Sequence, residues 1–471
     1  MRVRNAVKAV CFCMAAAMLY SALYGVFSWK DTGGAYLTNM ETFYGLEEDV
    51  ADVLFCGSSH CYCSVNPAIL WGQHGIAGYN LGISGQDFAG TYHGIREALK
   101  TQHPRVICLE MYGSAFEGYE DKGNLYRNLL GYKPSLNYWN AVNALANEEE
   151  KQAILWKWPI IHTRYAELTE QDFRPDTISR TYMGYKPEYV YEDIGEIPLY
   201  QVTESVPIGY EEEWLRKIIE LTREEGIELI FFQVPYLANE QFQKRCRYMK
   251  EIAAENGIPV LDMMEMLDEL GMDTAQDFMD WGHLNEYGAR KVSAYMGQYL
   301  AENYGLEDKR GTEGYGLWDE NLKVWRHQVQ NHDLQQITDL GSYLTNLVNL
   351  QDYTVVLIAE GEFPGEAVEG LREKLALTGA GESFLAGESV CVVKDGAVLY
   401  ESPKEGCFRF MGIGESDLLL HANDGKMHII VDRVEYDRVE YGIAIVLYDN
   451  VLGMVADAVG FPAWGEGPCV R

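Results

Sequence analysis

The chain has 471 residues, more than one hydrophobic core usually organises, so its length predicts two soluble domains. Apolar residues make up 47% of it, which suits globular folding and excludes a disordered protein. Lysine and arginine total 38 against 71 acidic residues. The resulting net charge of -33 disfavours contact with a phosphate backbone, so nucleic acid is not an expected partner.

The first predicted element is an apolar helix within residues 1–30. Arg2, Arg4 and Lys8 precede an uncharged stretch from Ala9 to Trp29, which is long enough to cross a hydrocarbon core of about 30 Å. Because basic residues lie before this stretch and acidic residues dominate after it, the positive-inside tendency predicts a membrane anchor with a cytoplasmic N-terminus and an extracytoplasmic body. A cleaved signal peptide is the alternative, and either interpretation exports the protein.

Between residues 31 and 305, short apolar runs alternate with amphipathic stretches. The runs lack polar alternation, which is typical of parallel strands buried on both faces. They are Asp52–Cys56, Gly78–Ile83, Arg105–Met111, Ile227–Pro235 and Ile258–Met263. Helical patterns lie between them, at His93–Thr101, Glu212–Gly226 and Asn239–Gly257. The alternation predicts an α/β domain, a three-layer sandwich with a mostly parallel sheet.

A segment at about residues 115–206 interrupts this alternation. It is rich in Tyr and Trp and has little clean periodicity, so we expect an insertion over one edge of the sheet. Its aromatic residues fit either a wall that stacks against a sugar or a helical cap with its own small core, and both interpretations stay open.

The C-terminal third of the chain differs in character from the rest. Residues 306–317 form a polar, glycine-bearing linker, and residues 318–471 favour a second, smaller β-rich α+β domain. Asp352–Glu360 is predicted to be a strand. Two strands are expected around Asp395-Gly396, because both central positions of a type I′ turn favour positive φ. Further strands are predicted at Met427–Tyr436 and Tyr441–Asn450.

A serine follows the first predicted strand, in Gly57–Ser59. A buried parallel strand that ends there brings the Ser59 hydroxyl to the carboxyl edge of the sheet, where open α/β folds place their sites. A serine needs a base to become nucleophilic. Asp280 and His283 are three residues apart, so the carboxylate can reach Nδ1 of the imidazole and leave Nε2 free to accept a proton. The pattern predicts a catalytic triad of these three side chains.

The ten cysteines do not indicate a disulfide framework, because two lie in the anchor and two in strand-like runs. His60, Cys61 and Cys63 resemble a partial metal or redox site. No second CxxC or HxxxH cluster completes a tetrahedral set of ligands. We therefore expect no metal and no cofactor, while a disulfide from Cys61 or Cys63 to a distant partner stays open.

These motifs resemble those of the SGNH (GDSL-like) hydrolase superfamily. Gly57-Ser58-Ser59 is similar to its first block, with Ser59 at the nucleophile position and Ser58 where aspartate is commoner. Asp280 and His283 match its last block, D-x-x-H before a terminal helix. The resemblance spans about Tyr36 to Asn303, with the insertion unmatched.

The same resemblance implies the oxyanion donors. It assigns this role to the backbone N–H groups of Ser59 and of Gly85, in NLGISGQ. The third block of the family normally ends in G-x-N-D, whereas this chain has Gly113-Ser114, so the asparagine donor is absent. Losing one such donor typically costs about 10²–10³ in rate. Three alternatives stay open: Ser114 replaces the asparagine donor, a group from the insertion replaces it, or the enzyme is slow.

Exported, membrane-anchored SGNH domains resemble proteins that move acyl groups onto or off cell-envelope polymers. This implies a serine hydrolase or O-acyltransferase acting on acylated envelope polysaccharide, with a membrane acyltransferase as a partner that supplies the acyl donor. Water as acceptor makes it an esterase, and a sugar hydroxyl makes it a transferase. The alternatives are an inactive SGNH scaffold that binds glycans or assists envelope assembly, and a turn serine with a helix-capping histidine.

Residues 318–471 are similar to interleukin-like EMT inducer (PANDER-like) domains. The similarity is carried by YLTNLVNLQDYTVVLIAEGEF, by LREKLALTG, and by YGIAIVLYDN with the following VADAVGF. Such domains occur on extracellular and carbohydrate-active proteins, which implies a glycan- or partner-binding module. A purely structural appendage is the alternative, and no catalytic residue carries over.

Overall fold

The structure is a computed structural model. It describes residues 2–28, 40, 42–116, 122–173, 183–361, 369–380, 384, 387–423, 425–436, 441–462 and 468–471. Trp29, the end of the predicted anchor, and Tyr36, the start of the SGNH-like region, lie outside the described residues. The chain divides into two units, Met1–Leu322 and Lys323–Arg471.

The N-terminal helix α1 runs Arg2–Phe27. Its segment Arg4–Phe27 is long and apolar enough to cross a membrane, as an anchor or a signal sequence is. Side chains from Arg4 to Leu23 are exposed on all sides of the helix. The exposed surface of this part of the helix is apolar apart from Arg4, Asn5 and Lys8 near its start and Ser21 near its end.

Unit 1 is built on a five-stranded parallel sheet, as the apolar runs predicted. Its strands pair in the order β2-β1-β3-β4-β5, and every neighbouring pair is parallel. They are β1 (Val53–Cys56), β2 (Gly78–Asn80), β3 (Val106–Glu110), β4 (Glu228–Gln233) and β5 (Val260–Asp262). Every residue of β1 and β3 is buried, which explains the absence of polar alternation in their sequences.

Helices connect these strands, and a small β-hairpin precedes the last helix of the domain. The helices are α2 (Ser59–Tyr62), α3 (Pro67–His74), α4 (Phe88–Ala98), α5 (Lys122–Leu130), α6 (Leu136–Leu145), α7 (Glu148–Trp156), α8 (Trp158–Ile161), α9 (Glu211–Glu225), α10 (Glu240–Asn256), α11 (Leu267–Leu270) and α12 (Glu286–Tyr304). The hairpin pairs β6 (Phe278–Asp280) with β7 (His283–Leu284). Gly226 and Gly257 end α9 and α10 in the left-handed conformation that glycine adopts readily after a helix.

The strand order places a topological switch between β1 and β3. From β1 the chain passes to β2 on one side, and from β3 it continues through β4 to β5 on the other. Ligands of open α/β sheets bind outside the carboxyl ends of the strands at such a point. The segment that begins at Gly57 and the segment after Glu110 leave the sheet at this place.

The predicted insertion is largely helical within its described part. It holds α5 to α8, followed by a segment from residue 183 to residue 210 without helix or strand. A complete capping box of Asn147 and Glu150 begins α7.

Unit 2 has two antiparallel sheets, in line with the β-rich prediction. The larger has the order β10-β9-β8-β15-β16 and the smaller β11-β12-β13-β14. Asp395 and Gly396 join β9 to β10 with φ of 49° and 77°, as a type I′ turn requires. The helices are α13 (Gly316–Gln335), which crosses the boundary between the units, α14 (Leu340–Leu347) and α15 (Glu369–Leu377). The strands are β8 (Tyr353–Glu360), β9 (Ser389–Lys394), β10 (Ala397–Pro403), β11 (Phe408–Ile413), β12 (Ser416–Asn423), β13 (Lys426–Val431), β14 (Val434–Glu435), β15 (Gly442–Asp449) and β16 (Met454–Pro462).

Candidate active site

Ser59 is the first residue of α2, directly beyond the carboxyl end of β1. The hydroxyl of Ser58 caps this short helix by accepting the backbone N–H of His60 at 3.3 Å. Gly57 has φ of +153°, and a Cβ added there would lie 2.6 Å from the Cβ of Glu110, so only glycine fits this turn. The turn therefore fixes where Ser59 stands at the edge of the sheet.

His283 and Asp280 lie on the β6–β7 hairpin and complete a chain of hydrogen bonds with Ser59. Nε2 of His283 is 2.8 Å from Oγ of Ser59. Nδ1 of His283 is 3.0 Å and 3.1 Å from the two carboxylate oxygens of Asp280. A carboxylate at Nδ1 selects the tautomer whose Nε2 accepts the serine proton. The structure thus brings together the three side chains that the sequence singled out.

Backbone contacts hold Asp280 and the hairpin in place. Oδ1 of Asp280 also accepts the N–H groups of Gly282 at 2.7 Å and His283 at 2.9 Å. Asn285 caps α12 with its side-chain oxygen and donates its amide to the carbonyl of Gln276 at 2.6 Å. The side chains of His283 and Asp280 remain 26% and 35% exposed, so a substrate can reach them from solvent.

The backbone N–H groups of Ser59 and Gly85 have no hydrogen-bond partner among the described residues. The loop that carries Gly85 follows β2 and is tied to the serine turn, because Ile83 N–H donates to the carbonyl of Gly57 at 3.0 Å. Gly85 has a left-handed φ of +61°. Unpaired N–H groups beside a nucleophile are suited to an oxyanion.

Asn124, on α5 of the insertion, lies against Gly85. A Cβ added to Gly85 would lie 2.4 Å from Nδ2 of Asn124. Oδ1 of Asn124 accepts from Arg127 at 3.1 Å, whereas its Nδ2 donates to no acceptor in the described part of the chain. An amide donor from the insertion therefore stands next to the glycine of the candidate oxyanion site.

Asn128, one turn further along α5, holds this helix against the loop that carries Gly85. Its Nδ2 donates to the carbonyl of Ser84 at 3.2 Å, and its Oδ1 accepts from Gln86 at 2.9 Å. Sequence reasoning did not identify Asn124. The available signal was the spacing of two asparagines four residues apart, which places both amides on one helix face.

Ser114 occupies a different environment from the one expected of an oxyanion donor. It is fully buried in the turn Met111–Ala115, and its hydroxyl donates to the carbonyl of Met111 at 2.8 Å. A hydroxyl has one proton to donate. No described contact joins this side chain to Ser59 or Gly85, so the structure does not bring it into the site.

Glu110 is a buried carboxyl behind the serine turn that sequence reasoning did not identify. Its Oε2 accepts from the Ser58 hydroxyl at 3.1 Å and its Oε1 from the Tyr112 N–H at 2.6 Å. Burial raises the pKa of Glu110 to about 8, against the opposing effect of these hydrogen bonds. The carboxyl is therefore mostly protonated at neutral pH.

We expect Glu110→Gln to stabilise the protein at neutral pH. The folded-state pKa of about 8 lies above the ordinary value of about 4.3, so only the unfolded chain ionises between these values and stability falls as the pH rises through this window. A glutamine does not ionise in either state, so the substitution removes this loss in the free energy of unfolding, which is about 3 kcal/mol at pH 7. Urea unfolding at pH 5 and pH 7.5 measures it.

The control for this prediction is Glu228→Gln, an exposed glutamate at the start of β4. It should leave the pH dependence of the unfolding free energy as it is in the wild type. A Glu110→Gln protein with the same pH dependence as the wild type would contradict the assignment of a buried, protonated carboxyl.

His60, Cys61 and Cys63 are packed as core residues. The His60 ring stacks on Tyr112 with ring centroids 3.9 Å apart. Burial lowers the pKa of His60 and raises the pKa of both thiols, which favours their neutral forms. Metal ligation by cysteine needs the thiolate. Among the described residues no group of three such side chains is placed to hold a metal, and none of the ten cysteines, each of them described, forms a disulfide.

Comparison with known proteins leaves the family open. No family model and no curated protein matches the chain. A crystal structure described as an acylhydrolase from Bacteroides fragilis aligns with a TM-score of 0.28 and 10% identity, over 56% of this chain and 95% of that one. A gut microbial diltiazem-metabolizing enzyme aligns with a TM-score of 0.22 and 15% identity, over 55% of this chain and 47% of its own length. Function is therefore inferred from the geometry of the site.

Proposed function

We propose that the chain is a cell-surface serine esterase or O-acyltransferase with an SGNH-like three-layer domain. The observation that supports it is the continuous hydrogen-bond chain from Oγ of Ser59 through the His283 imidazole to Asp280, with links of 2.8 Å and 3.0 Å. A nucleophile, a base and an orienting acid in this order are the arrangement that activates a serine for acyl transfer.

The proposed reaction proceeds through an acyl-enzyme. Oγ of Ser59 attacks the acyl carbonyl while Nε2 of His283 takes its proton, and the same nitrogen returns the proton to the departing alcohol as the ester C–O bond breaks. Asp280 holds the imidazole and stabilises its cationic form. Water or a sugar hydroxyl then gives its proton to Nε2 and attacks the acyl carbon. The bond between the acyl carbon and Oγ breaks, and Nε2 returns the proton to Oγ of Ser59.

In this mechanism three donors hold the oxyanion: the N–H groups of Ser59 and Gly85 and the side-chain amide of Asn124. The support is that all three lack an acceptor among the described residues and that Asn124 approaches Gly85 closely. Asn124 then serves as the oxyanion donor in place of the asparagine that is absent after β3. Of the three alternatives that the sequence left open, this one assigns the donor to the insertion.

Asn124→Ala is expected to lower kcat for an aryl acetate by about 10²–10³ with a smaller change in KM, because the donor bonds an oxygen that is charged only in the transition state. The matched control is Asn143→Ala on α6, an exposed asparagine whose amide donates to the carbonyl of Trp139. An unchanged kcat in Asn124→Ala would exclude Asn124 as a donor and leave the role of Ser59 intact.

We further propose that α1 anchors the protein with its N-terminus in the cytoplasm and that the substrate is an acylated envelope polysaccharide. The exposed apolar surface of α1 and the basic residues at its start support the anchor. A membrane acyltransferase as donor partner and a glycan-binding role for unit 2 remain predictions from sequence resemblance.

A fluorophosphonate probe tests the proposed nucleophile. We expect the intact protein to be labelled and the label to map to the peptide that contains Ser59. Comparing ester-linked acyl groups on envelope glycans with and without an intact Ser59 then identifies the polymer, and gain or loss of acyl groups separates transferase from esterase. An intact protein that takes no label would instead support a non-catalytic glycan-binding role.

A further inference from the structure

The insertion contacts the last turns of α1. The hydroxyl of Tyr20 donates to the carbonyl of Trp156 at 2.8 Å. The Trp158 ring lies against Phe27 and Tyr20, with ring centroids 5.4 Å and 6.3 Å apart. These contacts join the apolar helix to the folded body of unit 1 through side chains.

Arg164 closes the end of the same helix. Its guanidinium donates to the carbonyls of Phe27 at 3.0 Å and Ser28 at 2.6 Å, which are among the carbonyls that a helix end leaves without an internal partner. The same side chain pairs with Asp172 at 2.8 Å, and both side chains are less than one tenth exposed. The buried ion pair with Asp172 holds the guanidinium at the end of α1 and so ties this end to the insertion.

The uncharged part of α1 is about as long as a bilayer core is thick. It runs from Ala9, after Arg4 and Lys8, to the helix end at Phe27, which at 1.5 Å per residue is about 28 Å, close to a hydrocarbon core of about 30 Å. Side chains 9–23 of this part are exposed, while Tyr24 and the residues from Val26 onward are partly covered. The insertion therefore contacts the helix only toward its C-terminal end, in the outer part of the core.

Large aromatic side chains are exposed on the part of the insertion that contacts α1. Trp156, Tyr165 and Phe173 are 72%, 73% and 64% exposed. Their segment is in contact with α1 through the turns Trp158–Ile161, His162–Ala166 and Glu170–Phe173. Trp and Tyr concentrate at membrane–water interfaces, where an apolar ring and a polar tip are both accommodated.

We propose that Trp156, Tyr165 and Phe173 form a membrane-docking face that lies in the headgroup–acyl boundary of the bilayer that α1 crosses. The inference rests on the anchoring role proposed above for α1. The net charge of -33 disfavours electrostatic attraction to anionic lipid, so the docking depends on the buried aromatic surface. The body is thereby fixed against the membrane and works on polymer close to the lipid surface.

Fluorescence quenching in the full-length protein tests this docking. Replacing Cys11, Cys13 and Cys469 by serine leaves only buried cysteines, and one environment-sensitive label is then placed on Trp156→Cys or Tyr165→Cys. The protein is reconstituted into phosphatidylcholine–phosphatidylglycerol vesicles, with a nitroxide lipid or aqueous iodide as quencher. We expect a blue-shifted emission that the nitroxide lipid quenches and iodide does not.

A label on native Cys13, within α1, reports the anchor separately and should be quenched by a nitroxide deep in the acyl chains. Quenching at Cys13 together with iodide quenching at both aromatic positions would overturn the docking face and leave the anchor. Absence of lipid quenching at Cys13 would overturn both proposals. Shielding of the aromatic positions from both quenchers would mean that a second copy of the chain covers them, which also overturns docking.

Discussion

Ser59→Ala is expected to lower kcat for ester hydrolysis by about 10⁶, the cost of removing the nucleophile of a serine triad. The hydroxyl that bonds Nε2 of His283 at 2.8 Å is the only group the substitution removes. The side chain is half-buried at the start of α2, and Nε2 can bond water in its absence, so the fold should be retained. Steady-state hydrolysis of an aryl acetate and urea unfolding measure the two effects.

The matched control is Ser64→Ala, five residues along the chain. Ser64 is fully buried, and its hydroxyl has no hydrogen-bond partner among the described residues, so removing it should leave the rate unchanged and should not lower the stability. His283→Ala should cost about as much as Ser59→Ala, and the double variant no more, because the residues act as a unit. Ser59→Ala protein with wild-type kcat would place the nucleophile elsewhere.

Much of the sheet in unit 1 could be predicted because its strands are buried on both faces. β1 and β3 show no exposed position, so their sequences are uninterrupted apolar runs that periodicity does not confuse with a surface helix. The strand β11 of unit 2 was not predicted for the opposite reason. Phe408 and Phe410 are exposed on β11, so the apolar residues of this strand do not mark its buried face.

The predictable part of the site is the part encoded by short motifs. Asp280 and His283 are neighbours in sequence, and Ser59 follows a recognisable strand, so their chemistry is visible without coordinates. The roles of Asn124 and Glu110, by contrast, depend on tertiary contacts. Asn124 is placed by the packing of an inserted helix against Gly85, and the raised pKa of Glu110 is a consequence of burial, which no local pattern reports.

Asp280→Asn is expected to lower kcat by about 10⁴ while the protein stays folded. Oδ1 of Asp280 accepts two backbone N–H groups, from Gly282 and His283, and the carboxamide oxygen of asparagine can keep both bonds. The amide nitrogen must then take the place of Oδ2, which lies 3.1 Å from Nδ1 of His283. An NH₂ group only donates there, so it competes with the carboxamide oxygen, which lies 3.0 Å from Nδ1, and favours the tautomer that is protonated at Nε2 and cannot accept from Ser59.

A suitable control is Asp273→Asn, in the loop before the hairpin. Oδ1 of this exposed aspartate also accepts the backbone N–H two residues on, from Ala275 at 3.0 Å, so the same substitution is made in the same local motif away from the histidine. Its kcat should equal that of the wild type. If Asp280→Asn kept wild-type kcat, the tautomer of His283 would not depend on this carboxylate. If both variants lost activity equally, the loss would reflect the loop rather than the triad.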